Sequence, residues 1–83
     1  MQVEILTPEK KLFSGEARAV QLPGVEGSFQ VLDRHAALIS ALKEGVVKVD
    51  NAQGSHKFAI KGGFVEVLHN KVTVLLEGAM ANS

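Results

Sequence analysis

The sequence predicts an all-β domain, a sandwich or barrel of short strands. Side chains alternate with a period of two along most of the chain, and valine dominates the apolar phase. Turn-forming residues interrupt the alternation at about the 8–12-residue spacing of β-sandwiches and barrels. A period of two puts one set of side chains on a core and the other outside, and β-branched residues fit that pleated surface.

The elements follow in order. Val3 and Ile5 stand opposite Gln2 and Glu4, giving a first strand, and Thr7-Pro8-Glu9-Lys10 turns the chain. A short segment, residues 11–13, ends at Ser14-Gly15. Arg18, Val20 and Leu22 alternate with Ala17, Ala19 and Gln21, up to the turn Pro23-Gly24-Val25-Glu26-Gly27. Phe29 and Val31 alternate with Ser28 and Gln30. Residues 33–42 resist: His35, Leu38, Ile39 and Leu42 fall at i, i+3, i+4 and i+7 behind Asp33 as an N-cap, a helical spacing. Further on, Asp50-Asn51-Ala52-Gln53-Gly54 reads as a five-residue hairpin loop into the alternating run His56, Phe58, Ile60. Gly62-Gly63 between two strand-like runs marks a bulge or a close backbone approach. The last two strands, around Val65 and Val67 and around Val72 and Val74, are joined by His69-Asn70, where asparagine tolerates positive φ. Val74 is expected in the core, and residues 79–83 are expected to be a flexible tail beyond a domain of residues 1–78.

Composition excludes several function classes. A chain of 83 residues makes one domain that buries roughly 60% of its unfolded surface, a modest core. Without cysteine there is no disulfide, thiolate metal site or cysteine nucleophile. Nine basic residues balance nine acidic ones, whereas a nucleic-acid binder carries a basic surplus. The longest apolar run, residues 72–76, is too short to cross a membrane, and the N-terminus lacks signal-peptide order. The chain reads as a soluble intracellular domain. Hydrophobic residues are 46% before the eight glycines are counted; with them, the total exceeds the usual 45–50%. Some of this surplus is expected on a partner-facing patch.

No catalytic or cofactor constellation emerges. His35, His56 and His69 match no metal-ligand spacing. Neither glycine cluster forms a phosphate loop. Asp33 and His35 have no serine placed to complete a hydrolytic triad, and no hairpin tip carries a carrier-domain lysine. Phe13, Phe29, Phe58 and Phe64 are expected to pack in the core rather than stack on bases. No metal, cofactor or catalytic residue is therefore expected.

Three stretches together are distinctive: VEILTPEKKLFSGEA (3–17), VQLPGVEGSFQVLDRHAALISALKEGVVKV (20–49) and FAIKGGFVEVLHNKVTVLLEG (58–78). The strongest markers are Leu22-Pro23-Gly24 with Gly27, His35-Ala36 with Leu38-Ile39, Gly45, and Gly62-Gly63-Phe64 with Glu66-Val67. In order and spacing they strongly resemble the N-terminal β-sandwich domain of the epsilon subunits of F-type ATP synthases, called delta in mitochondria. The resemblance implies a flattened sandwich of about ten strands and a strand, not a helix, at Leu38–Leu42. It implies a non-catalytic rotor part joining the gamma subunit to the c ring and coupling proton flow to ATP synthesis. It would be peripheral at the cytoplasmic face of a bacterial membrane, or in the organellar equivalent, touching the membrane only through the complex. The alternative is a β-sandwich module binding another protein or ligand.

Carried over residue by residue, the resemblance implies that Pro23, Gly24, Val25, Glu26, Gly27 and Ser28 meet the c ring, and that Thr7, His35 and Ser40 meet gamma. The family often has a carboxylate where this chain has Ser28, and Glu26 stands two residues away as a substitute. Asp33 and Ala37 replace prolines common around the family histidine, loosening that loop. His35 is equally readable as a structural residue of the loop. The family commonly continues into two regulatory helices, and this sequence stops shortly after Glu77. A naturally short member and an excised domain both fit, with Met1 and the untagged Ser83 favouring the first.

Overall fold

A computed structural model describes residues 1–77. Nine strands are present among them: β1 (Gln2–Leu6), β2 (Lys11–Glu16), β3 (Ala19–Gly24), β4 (Gly27–Leu32), β5 (Leu38–Leu42), β6 (Gly45–Asn51), β7 (Gly54–Ile60), β8 (Gly63–Leu68) and β9 (Lys71–Leu76). They pair in the order β2-β1-β9-β8-β5-β3-β6-β7, with β4 on the other edge of β3. All pairs are antiparallel except β1 with β9. The link between β5 and β3 is a single bridge, Gly24 to Leu42. There the sheet folds over, leaving a five-strand limb (β2-β1-β9-β8-β5) against a four-strand limb (β4-β3-β6-β7). The far ends meet where the Phe13 ring of β2 lies 5.6 Å from His56 and 6.0 Å from Phe58 of β7. The result is a flattened sandwich of 29 × 28 × 19 Å.

The core follows the alternation. Val3 and Ile5 of β1, Val20 and Leu22 of β3, Val31 of β4, Val47 and Val49 of β6, Ile60 of β7, Val65 and Val67 of β8, and Val72 and Val74 of β9 are all buried. At about 1.5–3 kcal/mol for each large aliphatic side chain fully buried, this apolar filling is the main force holding the limbs together. Gly63 allows the close approach expected at the paired glycines. A Cβ there would drive into the Leu75 carbonyl oxygen and lie 3.0 Å from the Leu76 Cα.

Five expectations need correction. The helical spacing of residues 33–42 is not realised: residues 38–42 form β5, where Ile39 points outward while Leu42 is buried. The loop at residues 50–54 is a two-residue turn, because Asp50 pairs with Ser55 and Asn51 with Gly54. The Asn51 carboxamide oxygen accepts from the Gln53 amide at 2.9 Å, an Asx turn that tightens it. Pro23 and Gly24 finish β3 and Gly27 starts β4, so that turn too shrinks to Val25-Glu26. The segment 11–13 extends through Ser14-Gly15 to Glu16, pairing along β1 past an irregularity between Ile5 and Leu6. Finally, Phe64 is 57% exposed. Val65 and Val67 occupy the inward phase of β8, which puts Phe64 on the outer face; Phe13, Phe29 and Phe58 do pack against the core. The expected tail at residues 79–83 lies outside the described residues.

Candidate partner interface

The β3–β4 turn is a rigid corner. The Val25 amide donates to the Ala41 carbonyl at 3.1 Å, and the Lys43 amide donates to the Pro23 carbonyl at 2.9 Å. Gly24 is required by the packing: a Cβ there would lie 2.7 Å from the Gly27 carbonyl oxygen and 2.9 Å from the Phe29 ring. Pro23 and Gly24 are buried, whereas Val25, Glu26, Gly27 and Ser28 are exposed. Between this turn and residues 39–41 of β5 runs an open groove of about 540 Å³. It brings Ser40 beside Val25–Ser28 positions that were assigned to a different partner. Glu26→Lys is expected to leave the melting temperature unchanged, because the side chain stands in solvent at the tip of the turn. A large fall in melting temperature would show that the site is not a surface turn.

Thr7, His35 and Ser40 do not converge. The Thr7 hydroxyl accepts from the Lys10 amide at 3.0 Å and the Glu9 amide at 3.2 Å, and lies 3.0 Å from the Lys10 carbonyl, so it serves its own turn. Ser40 is half-buried on the inner phase of β5, in register with the core residue Val65. His35 is exposed, its Nδ1 lying 2.8 Å from the Ala36 carbonyl oxygen. Thr7 follows the end of β1 near Leu75, whereas His35 precedes the opposite end of the limb, near Asn70. The four residue steps of β5 alone separate those ends by about 13 Å.

Between the two ends lies a surface that the sequence reasoning missed. In register across β5, β8, β9 and β1 stand Ala41, Phe64, Leu75 and Leu6. Phe64 and Leu75 are more than half exposed, and neighbouring Ile39 is 72% exposed. The next row, Ile39, Glu66, Thr73 and Glu4, is largely polar. Glu4 there is flanked by Lys11 at 3.6 Å and Lys71 at 3.8 Å. An apolar centre with a charged margin has the anatomy of a protein interface. The signal was present in the sequence: β5, β8 and β9 carry apolar residues on both phases of their alternation.

At the His35 end, the Met1 ammonium donates to Asp33 Oδ1 at 3.0 Å, the Ala17 carbonyl at 3.0 Å and Glu16 at 3.3 Å. The Asp33 hydrogen bond is the main cause raising the amino pKa above its ordinary 8.0. That same bond, followed by one from Asn70, lowers the Asp33 carboxyl below its ordinary 3.8. The amine therefore contributes stability that is full below about pH 8 and lost as pH rises through its raised value. The carboxylate contributes stability present above about pH 4 and lost as pH falls through its lowered value. Melting temperature is expected to plateau between these limits, and Asp33→Asn should flatten both flanks. Unchanged flanks in that variant would remove Asp33 from the balance.

Among the described residues no cluster of three or more histidines and carboxylates is gathered to hold a metal ion. The fold defines the class: a small all-β domain, a two-limbed β-sandwich with a hydrogen-bonded corner turn and an exposed apolar face. The chain matches the family ATP synthase, Delta/Epsilon chain, beta-sandwich domain over residues 1–82, and it belongs to that family. It is similar to the ATP synthase epsilon chain of Campylobacter fetus, 49% identical over 81 residues, covering 96% of this chain and 63% of that one. It is also similar to the epsilon chain of Rhodobacter capsulatus, 41% identical over 83 residues, covering all of this chain and 63% of that one. The chain thus spans less than two thirds of the length of these relatives. Its fold matches a chain in the cryo-EM structure of the Euglena gracilis mitochondrial ATP synthase, OSCP/F1/c-ring, with a TM-score of 0.85 at 22% identity, covering 94% of this chain and 51% of that one. A second match is in the central stalk/c-ring structure of the Tetrahymena thermophila mitochondrial ATP synthase, with a TM-score of 0.78 at 20% identity, covering 92% and 62%.

Proposed function

We propose that this domain is a non-catalytic part of the central stalk of an F-type ATP synthase, joining the gamma subunit to the c ring and coupling proton translocation to ATP synthesis. The observation that carries this reading is the outward row Ala41, Phe64, Leu75 and Leu6, an apolar face on a domain whose core is already filled. Gamma covers this face. Thr7 directly follows Leu6 at one end of this row, His35 lies at the opposite end of the strands, both touch the same partner, and Ser40 borders the row at the groove. The turn at residues 25–28, set at the corner, meets the c ring, with Glu26 supplying the carboxylate. In this role the domain acts as a rigid foot: the doubly hydrogen-bonded corner and packed limbs transmit torque without local yielding. The membrane is met only through the complex, at its cytoplasmic face or the organellar equivalent.

Calorimetric titration with purified gamma subunit tests the reading. Tight 1:1 binding with a negative heat-capacity change, the signature of apolar burial, is expected. Absence of binding at low and moderate salt would leave a β-sandwich module with another partner.

A further inference from the structure

The Met1 α-amine stands in for a backbone amide in the sheet. Its ammonium donates to the Ala17 carbonyl at 3.0 Å, and the Ala17 amide donates back to the Met1 carbonyl at 2.9 Å. The two residues thus exchange both bonds of an antiparallel ladder, one step beyond the Gln2–Glu16 pair of β1 and β2. The Met1 side chain, packed in the core cluster, fixes the nitrogen in place. An ammonium has three protons to donate, where an amide of this kind has one. The other two reach carboxylates, Asp33 Oδ1 at 3.0 Å and Glu16 Oε1 at 3.3 Å.

Asp33 carries the tie further. Its Oδ1 also accepts from the Asn70 carboxamide nitrogen at 3.1 Å, and the Asn70 carboxamide oxygen accepts from the Arg34 amide at 2.7 Å. The amine thereby anchors the segment between β4 and β5, which is otherwise poorly held. Residues 33–37 are exposed, Arg34 sits at a φ of 65°, and the His35 amide has one turn bond, to the Leu32 carbonyl at 3.1 Å. Beside the nitrogen lies an open cavity of about 320 Å³, bounded by Glu16, Arg18, Asp33, Asn51 and Ala52. At roughly 30 Å³ for a water-sized group, it has room for the three heavy atoms of an acetyl group.

We propose that the Met1 α-amine is an acylation-sensitive site: free, it ties the 33–37 segment to the end of β2; acylated, it keeps the Ala17 bond, seats the acyl group in the cavity and releases the segment. Acetylation by an acyl thioester balances as follows. An N–C bond forms as the C–S bond breaks, and of the two protons that the ammonium loses, one leaves with the thiol and one goes to solvent. The product amide has one N–H and no charge. The Ala17 bond therefore survives, and both carboxylates lose their donor. The inference is independent of the stalk reading, although His35 rides on the released segment.

Two preparations of the 83-residue chain test this, both made by total synthesis, one with the Met1 amine free and one with it acetylated. At neutral pH, acetylation is expected to speed solvent exchange of the Arg34 amide, read by NMR, about tenfold or more, and to leave exchange of the Ala17 amide within about threefold. The melting temperature is expected to fall by about 4 °C or more. That gap should close as pH rises through the raised amine pKa, because the free chain then loses a charge that the acetylated chain never had. Asp33→Ala with a free amine should speed Arg34 exchange in the same way, and acetylating that variant should add no more than about twofold. Unchanged Arg34 exchange in the acetylated chain overturns the proposal. Fast Ala17 exchange there overturns the seating of the acyl group in the cavity. An undiminished effect of acetylation in Asp33→Ala overturns Asp33 as the route.

Discussion

Val74→Asp is expected to unfold the domain. Val74 is fully buried at the centre of β9, in register with Val65 of β8 and Ile5 of β1, themselves buried. Burial at this position contributes about 1.5 kcal/mol or more. An aspartate there, neutralised to avoid a buried charge, still brings polar atoms without partners at about 2 kcal/mol or more. The combined loss is about 3.5 kcal/mol at least. That is comparable to the lower end of the total stability of an 83-residue domain, about 4–12 kcal/mol at typical per-residue values. The melting temperature should fall by at least about 15 °C, with loss of the β-sheet circular dichroism at moderate temperature. A variant melting like the wild type would mean that Val74 does not face the core and that the register of β9 is wrong.

Phe64→Glu is expected to do the opposite: leave the fold intact and abolish tight gamma binding. Phe64 is central in the outward row, with Leu75 and Ala41 as cross-strand neighbours. Its ring is mostly in water in the isolated domain, so the substitution gives up little folding energy and surface changes of this kind stay small. In the complex the same ring would be desolvated at the middle of the apolar face, where aromatic anchors carry most binding energy. Losing about 2 kcal/mol or more there raises Kd at least about 30-fold, with a carboxylate left facing an apolar partner as an added penalty. Titration of the variant with gamma, beside a thermal melt, separates the two effects. Wild-type affinity in the variant would show that gamma does not cover this face, and a collapsed melt would show that Phe64 belongs to the core after all.

The alternation of the sequence determined the class of fold and most of the core. Val3 with Ile5, Val20 with Leu22, and Val72 with Val74 are buried as their period-two spacing requires, because a strand can present only one phase to an interior. The paired glycines announced a close approach, and Gly63 lies against the β9 backbone where no larger residue fits. The ordered motif set pointed to the family, which the match over residues 1–82 bears out. Local spacing failed at residues 33–42, where a helical period and a strand period compete over ten residues. Pairing of β5 with β8 decided the outcome by giving every β5 backbone position a cross-strand neighbour.

The surfaces were least legible. Phe64, read as core, is an exposed aromatic because strand phase, and not hydrophobicity, decides the face; the phase of β8 is set by its register with β5 and β9. The distance between Thr7 and His35, the meeting of Ser40 with the β3–β4 turn, and the tie from Asn70 to Asp33 and Arg34 all join residues far apart along the chain. A sequence carries its periods locally, and so it determines which side chains are buried together along each strand. Which turns become neighbours depends on the order in which strands pair and on where the sheet folds over at Gly24 and Leu42, and only the tertiary structure decides that.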